Sequence, residues 1–107
     1  MDTLRLDRYV VDTLMADLVG HDRSPSSFLV YIALAASVRV RAPALVRISH
    51  RRLAEETGLS KSSVQAAIRN LLRRRLVAAE RSSATAVPAY AVLKPWRRRA
   101  RRGPGPR

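Results

Sequence analysis

The sequence predicts a mainly α fold with a small β-hairpin near its end (α+β), and three observations carry that reading. Apolar residues recur at helical spacing through four segments, each opened by a serine or an aspartate. Two short β-type runs, 76–80 and 89–93, flank the polar, turn-rich stretch 81–88. A chain of 107 residues with 47% hydrophobic content and no cysteine makes one domain of ordinary size, or one small domain with arms. It is long enough to hold a core without disulfides or metal staples, and its five aromatic residues leave that core mostly aliphatic.

In chain order, Asp7 is expected to cap a helix that runs to about Val19, with Gly20 in the position that ends it. The apolar residues of 8–19 cover more of the circumference than one core contact needs. The segment is therefore expected to join two copies in a homodimer, the competing account being that it wraps its own domain. Ser24-Pro25 reads as an N-cap followed by proline at the first helical position of a helix reaching about Val38. That helix is apolar on both faces, so it should be the buried central one. Pro43 forbids its continuation, and 45–48 alternates as a short strand. Ser49 can cap a short helix to about Thr57, and Gly58 ends it in the left-handed conformation. Leu59 plugs the corner, and Ser60 caps a helix over 61–75. Val64, Ile68, Leu71 and Leu72 form its inward stripe, with Lys61, Ser62, Gln65, Ala66, Arg69 and Arg73 on the other side.

Charge is the abnormal quantity. Lysine plus arginine number 21 against 8 acids, a net of +13, and nineteen of the bases are arginine. Such a field points to nucleic acid before an acidic membrane surface. The longest apolar run, nine residues from Phe28 to Ala36, is far short of the ~20 that a membrane span needs. The first ten residues carry two acids and no hydrophobic stretch, so no signal peptide is expected and the protein should be cytoplasmic and nucleoid-associated. Residues 1–24 hold five aspartates and three arginines, a net of −2, whereas 25–107 carry +15. The five-residue spacing of Asp2, Asp7, Asp12, Asp17 and Asp22 fits neither a helix nor a strand period, and is taken as coincidence on a solvated face. The segment after Pro95 is too polar and arginine-rich to fold alone, so 94–107 is expected to be a disordered tail, with Trp96 packing its root onto the domain.

The stretch from Ser49 resembles the helix-turn-helix of bacterial DNA-binding proteins. The pieces are Leu53-Ala54, three residues, Gly58-Leu59-Ser60, then Val64 and Ile68 in the following helix. The two strand-like runs that follow place the resemblance in the winged subclass, the winged helix-turn-helix of small transcription regulators and of plasmid or phage replication initiators. It spans 24–93, leaving 1–23 as an N-terminal helical extension. The resemblance implies sequence-selective binding of double-stranded DNA, with helix 61–75 in the major groove and arginines clamping phosphates. The DNA-contact residues it selects are Ser49, Arg51, Ser60, Lys61, Ser62, Ser63, Gln65, Arg69, Arg73 and Arg81, with Arg97, Arg98 and Arg99 in the tail.

A small transcription regulator is the leading role. A plasmid or phage replication or partition factor is the alternative within DNA binding, and a winged-helix module for protein or RNA contacts the alternative outside it. The expected partners are double-stranded DNA, a second copy of the chain and a protein co-regulator. No enzyme is expected, because no paired carboxylates, glycine-rich phosphate loop or hydroxyl with a base at motif spacing is present. No cofactor, metal or catalytic residue is assigned, and His21 and His50 read as loop and cap-region residues rather than ligands.

Overall fold

The structure, a computed structural model, describes residues 3–38, 45–81 and 83–97. Three α-helices and three strands follow one another as α1 (Pro25–Ser37), β1 (Leu45–Arg47), α2 (His50–Thr57), α3 (Lys61–Arg73), β2 (Val77–Glu80) and β3 (Ala89–Val92). The sheet is antiparallel in the order β1-β3-β2, with Val46 opposite Tyr90 and Ala79 opposite the same Tyr90 on the other side. The hairpin expected over 76–93 is therefore the pair β2–β3, and the short run at 45–47 completes the sheet along β3.

The caps explain why the helices begin where they do. Ser24 accepts the amide of Ser27 at the start of α1, and Pro25 occupies the first helical position, where it has no amide to leave unpaired. Ser49 accepts the amide of Arg52 at 3.1 Å and Ser60 that of Ser63 at 3.1 Å. Gly58 closes α2 at φ 81°, a region that glycine enters without a Cβ clash. The core is one cluster: Val30, Tyr31 and Leu34 of α1, Leu53 of α2, Val64, Ala67, Ile68 and Leu71 of α3, and Val46, Val77 and Tyr90 of the sheet. Tyr31 is wholly inside because its hydroxyl donates to the Leu93 carbonyl at 3.0 Å. Leu29 emerges 45% exposed, so α1 is buried on one side rather than all round.

The N-terminal segment departs most from expectation. It winds wider than an α-helix over Val10–Leu14 and Ala16–His21, with amides reaching back five residues, as Met15 does to Val10 and Asp22 to Asp17. It runs through Gly20 to His21, and Arg23, at φ 53°, turns the chain into α1. Val10, Leu14 and Leu18 enter the common core, while Val11, Met15 and Val19 form an exposed stripe beside them. The wide winding gives one interval of the aspartate spacing, Asp17 to Asp22, a structural role. Residues five apart are successive hydrogen-bonded neighbours here, so Asp17 and Asp22 both reach Arg74, at 3.6 and 3.2 Å. The Asp22 side chain is 7% exposed and is not part of a solvated face.

Asp7 does not cap this helix with its side chain. Its carboxylate instead accepts Trp96 Nε1 at 2.7 Å and both Nε and Nη2 of Arg97 at 2.7 Å, while Trp96 stacks on Tyr9 at 4.6 Å. Residues 94–97 thus form a docked turn at the root of the expected tail, with Trp96 packing it onto the domain. Arg98, Arg99 and the rest of the tail lie outside the described residues.

The hydrogen bonds from Arg97 and then Trp96 hold the Asp7 carboxyl down at about 2 from its ordinary 3.8. A carboxyl lowered on folding stabilises the folded state fully above its unfolded pKa, and that contribution fades as pH falls from about 4 through 2. Asp7→Asn should lower stability at neutral pH and flatten its loss between pH 4 and 2, measured by urea unfolding across that range. A variant losing stability as steeply as the parent there would mean that the clasp is not ionic.

Candidate nucleic-acid interface

The turn between α2 and α3 is built by local bonds. Thr57 Oγ1 donates to the Leu53 carbonyl at 2.7 Å and accepts the Leu59 amide at 3.3 Å, while the left-handed Gly58 swings the chain round. Half-buried Leu59 and Ala54 pack on the core, as expected of the corner. On α3 the inward stripe is Val64, Ala67, Ile68 and Leu71. Leu72 was expected in it but is 36% exposed. At ~100° per residue, eight steps carry it about 80° past Val64, whereas Ala67 stays within the face.

Lys61, Ser62, Gln65, Arg69 and Arg73 are all exposed on α3. They are not equivalent. Gln65, Arg69 and Leu72 line one wall of a cleft of about 520 Å³, whose opposite side is Ala79, Glu80, Arg81, Pro88 and Tyr90 of the hairpin, with His50 at one end. Arg73 turns instead to the Asn70 side-chain carbonyl. Ser60, Ser62 and Ser63 are knit into the α3 cap, Ser60 Oγ lying 3.2 Å from Ser62 Oγ and 2.9 Å from Ser63 Oγ. Ser49 is similarly the α2 cap, and Arg51 pairs loosely with Glu55 at 3.6 Å on the exposed face of α2. Arg81 is exposed on the hairpin, where its Nη1 donates to Ala84 O at 3.2 Å. The structure thus brings Gln65, Arg69 and Arg81 to one cleft, with Lys61 close enough to affect His50. Arg97 is held by Asp7.

Three features were not legible. Arg47, on β1, is exposed and braces the hairpin turn by donating to Val87 O at 3.1 Å. His50 Nε2 lies 3.0 Å from the Tyr90 hydroxyl, joining the start of α2 to β3. Burial, with Arg81 and Lys61 nearby, lowers the His50 pKa, and burial raises that of Tyr90. Most consequential is Asn70, a nearly buried polar residue on α3. Its Nδ2 donates to Ser27 Oγ at 3.0 Å and to Asp22 Oδ2 at 3.1 Å, so it ties α3 to α1 and to the N-terminal segment. Burial raises the Asp22 carboxyl, but hydrogen bonds from His21 and Asn70 and the charge of Arg74 outweigh it and leave a net lowering. An asparagine beside an apolar stripe carries no sequence signal of such partners.

Residues 46–77 match a protein family described as winged helix-turn-helix DNA-binding. Two solved structures share the fold at a TM-score of 0.57 and 10% identity. One is described as "N-Terminal domain of DNA binding protein" and is matched over 99% of this chain and 90% of its own. The other, "Structure of Rep-DNA complex", is matched over 99% of this chain and 91% of its own. No curated protein matches the chain. The helix-turn-helix expected at 53–68 and the hairpin that follows it are thus those of a winged helix, and the likeness to the two structures is one of fold. Among the described residues no helix is long and apolar enough to cross a membrane, and no cluster of three His, Asp or Glu side chains could hold a metal ion.

Removing the Asn70 amide would leave Ser27 Oγ and Asp22 each short of a partner in a buried setting. Asn70→Ala should cost about 1–3 kcal/mol of stability, read from the urea midpoint at unchanged slope. A midpoint within error of the parent would show that the network is incidental to the packing of α3.

Proposed function

We propose that the chain binds double-stranded DNA sequence-selectively, α3 entering the major groove while arginines fix the backbone. The observation that carries the reading is the placement of Lys61, Gln65 and Arg69: exposed, on a helix held rigidly by the core, beside a cleft that also holds Arg81. Gln65 and Arg69 are one turn apart and suit adenine and guanine edges, while Lys61 and Ser62 stand near the helix start. Arg51, Arg73 and Arg81, joined by Arg47, meet phosphates, and Ser49, Ser60 and Ser63 present capped helix N-termini to them. Arg97 is engaged by Asp7, so a phosphate-binding role for the tail falls to Arg98, Arg99 and the bases after them. The role is that of a small transcription regulator in the cytoplasm, with a protein co-regulator as a further partner. The second reading is a replication or partition factor, which the fold shared with a protein in a Rep–DNA complex favours over a protein- or RNA-binding module.

The N-terminal segment supports a homodimer. Val11, Met15 and Val19 form an apolar stripe 36–51% exposed, and Leu4 and Leu6 are exposed before it. The occupant that fits is a second copy. Copies of a +13 chain repel over most of their surface, but residues 1–24 carry −2 and let two such faces approach. The face also leaves α3 free, because Asn70, which meets this segment, lies about 140° around α3 from Gln65.

Gln65→Ala and Arg69→Ala should each weaken binding to a selected duplex by about 1–3 kcal/mol and binding to random duplex by less. Equal losses on both, measured by fluorescence anisotropy at fixed salt, would assign these residues to phosphates and remove the base-reading claim. The full chain at micromolar concentration should sediment as a dimer, and Val11→Glu with Met15→Glu should sediment as a monomer that keeps its helical spectrum. A parent chain that is monomeric both alone and on DNA sinks the dimer.

A further inference from the structure

We propose that His50 is a phosphate ligand of the DNA interface and takes up a proton when duplex DNA binds, which couples affinity to pH. The inference rests on the DNA-binding reading above and adds a residue and a linkage to it.

The geometry is specific. His50 is the first residue of α2, immediately after its Ser49 cap, so it stands among the amides of that helix start. It is half-buried at the end of the cleft between α3 and the hairpin, the cleft that Gln65, Arg69 and Arg81 also line. Its Nε2 is held 3.0 Å from the Tyr90 hydroxyl, and Tyr90 is itself 2% exposed, so the ring is fixed in place by the core. A tyrosine hydroxyl can donate to the neutral ring or accept from the charged one, so both protonation states keep this bond. Nδ1 carries a proton in both of these states and can donate to a phosphate oxygen, the charged ring making the stronger, charge-assisted bond.

The groups around the ring set the sign of the coupling. Lys61 and Arg69 face it from α3, Arg81 from the hairpin turn, Glu80 from β2 and Tyr90 from β3, with Arg51 next to it on α2. Burial, then Arg81 and Lys61, disfavour its charged form in the free protein. A phosphate entering this cleft offsets the two cations and adds an acceptor for the ring, so the charged form becomes favoured in the complex. The proton comes from solvent. By linkage, a proton that binds the complex more tightly than the free protein strengthens DNA binding by the same factor.

The test measures binding of the full chain to a random-sequence 20-base-pair duplex from pH 5.5 to 8 at constant salt, together with the two histidine resonances by NMR with and without that duplex. Affinity should rise about tenfold from the neutral to the acidic end, the effect of a shift of roughly one pKa unit. The His50 resonance should titrate at higher pH in the complex. His50→Gln should lose the pH dependence, and His21→Gln, which serves for assignment, should keep it. A flat profile for the parent chain, an unchanged slope in His50→Gln, or a His50 resonance that titrates alike with and without DNA would each overturn the proposal while leaving DNA binding intact. Failure to bind the duplex at any pH would overturn the DNA-binding reading as well.

Discussion

The orientation of α3 depends on one buried amide. Asn70 donates to α1 through Ser27 and to the N-terminal segment through Asp22, and it accepts from Arg73. Apolar packing alone, through Val64, Ala67, Ile68 and Leu71, would tolerate small rotations of the helix, because hydrophobic contact has little directionality. Hydrogen bonds have direction, and a network whose members are all satisfied fixes rotation as well as distance. No buried side-chain polar atom is left without a partner among the described residues. Ser27 is held in turn by Ser24, the cap of α1, and Asp22 by His21 and Arg74. One residue thus relates three segments, and the outward direction of Gln65 and Arg69 follows from it.

The acids of the N-terminal segment have a second purpose beyond their own helix. Asp7 and Asp22 hold Arg97 and Arg74, bases from the strongly positive part of the chain, and Asp17 assists with Arg74. The surface pairs Arg8–Asp12 and Arg52–Glu56 are exposed, and such pairs are worth little. Of the three that cross between distant segments, Asp7–Arg97 and Asp22–Arg74 are less exposed on the acid side and bring hydrogen bonds from Trp96 and Asn70 with them. Arg74 and Arg97 are thus tied inward by aspartate, whereas Lys61 and Arg69 stay exposed on α3.

Much of the architecture was legible because its signals are local. Ser24-Pro25, Ser49, Gly58 and Ser60 are cap chemistry, readable one turn at a time, and each helix they delimit begins where the sequence places it. The exposed set on α3 followed from periodicity, with Leu72 misplaced by counting one residue too far round the helix. The N-terminal segment was misread because an α-helical period was applied to a stretch wound more widely, which also made the aspartate repeat look meaningless. Asn70–Ser27, His50–Tyr90 and Asp7–Arg97 join residues 43, 40 and 90 positions apart. No periodicity in one sequence reports such pairs, since each depends on how whole elements dock. The cleft, built from α3, the hairpin and the first residue of α2, was for that reason only half visible.

The bond between Asp7 and Arg97 also closes the described chain upon itself. Asp7, close to the first described residue, and Arg97, the last of them, meet at 2.7 Å, so the two ends of the described chain lie near one another. Ends that lie side by side make a domain easy to insert within a host loop, and they allow its chain to be rejoined there and opened elsewhere. The exposed turn at 83–85, between β2 and β3, is the natural place for new termini. The molecule is in this sense a ring held shut by a carboxylate, a guanidinium and a stacked indole, and its linear order is one of several that the same packing would accept.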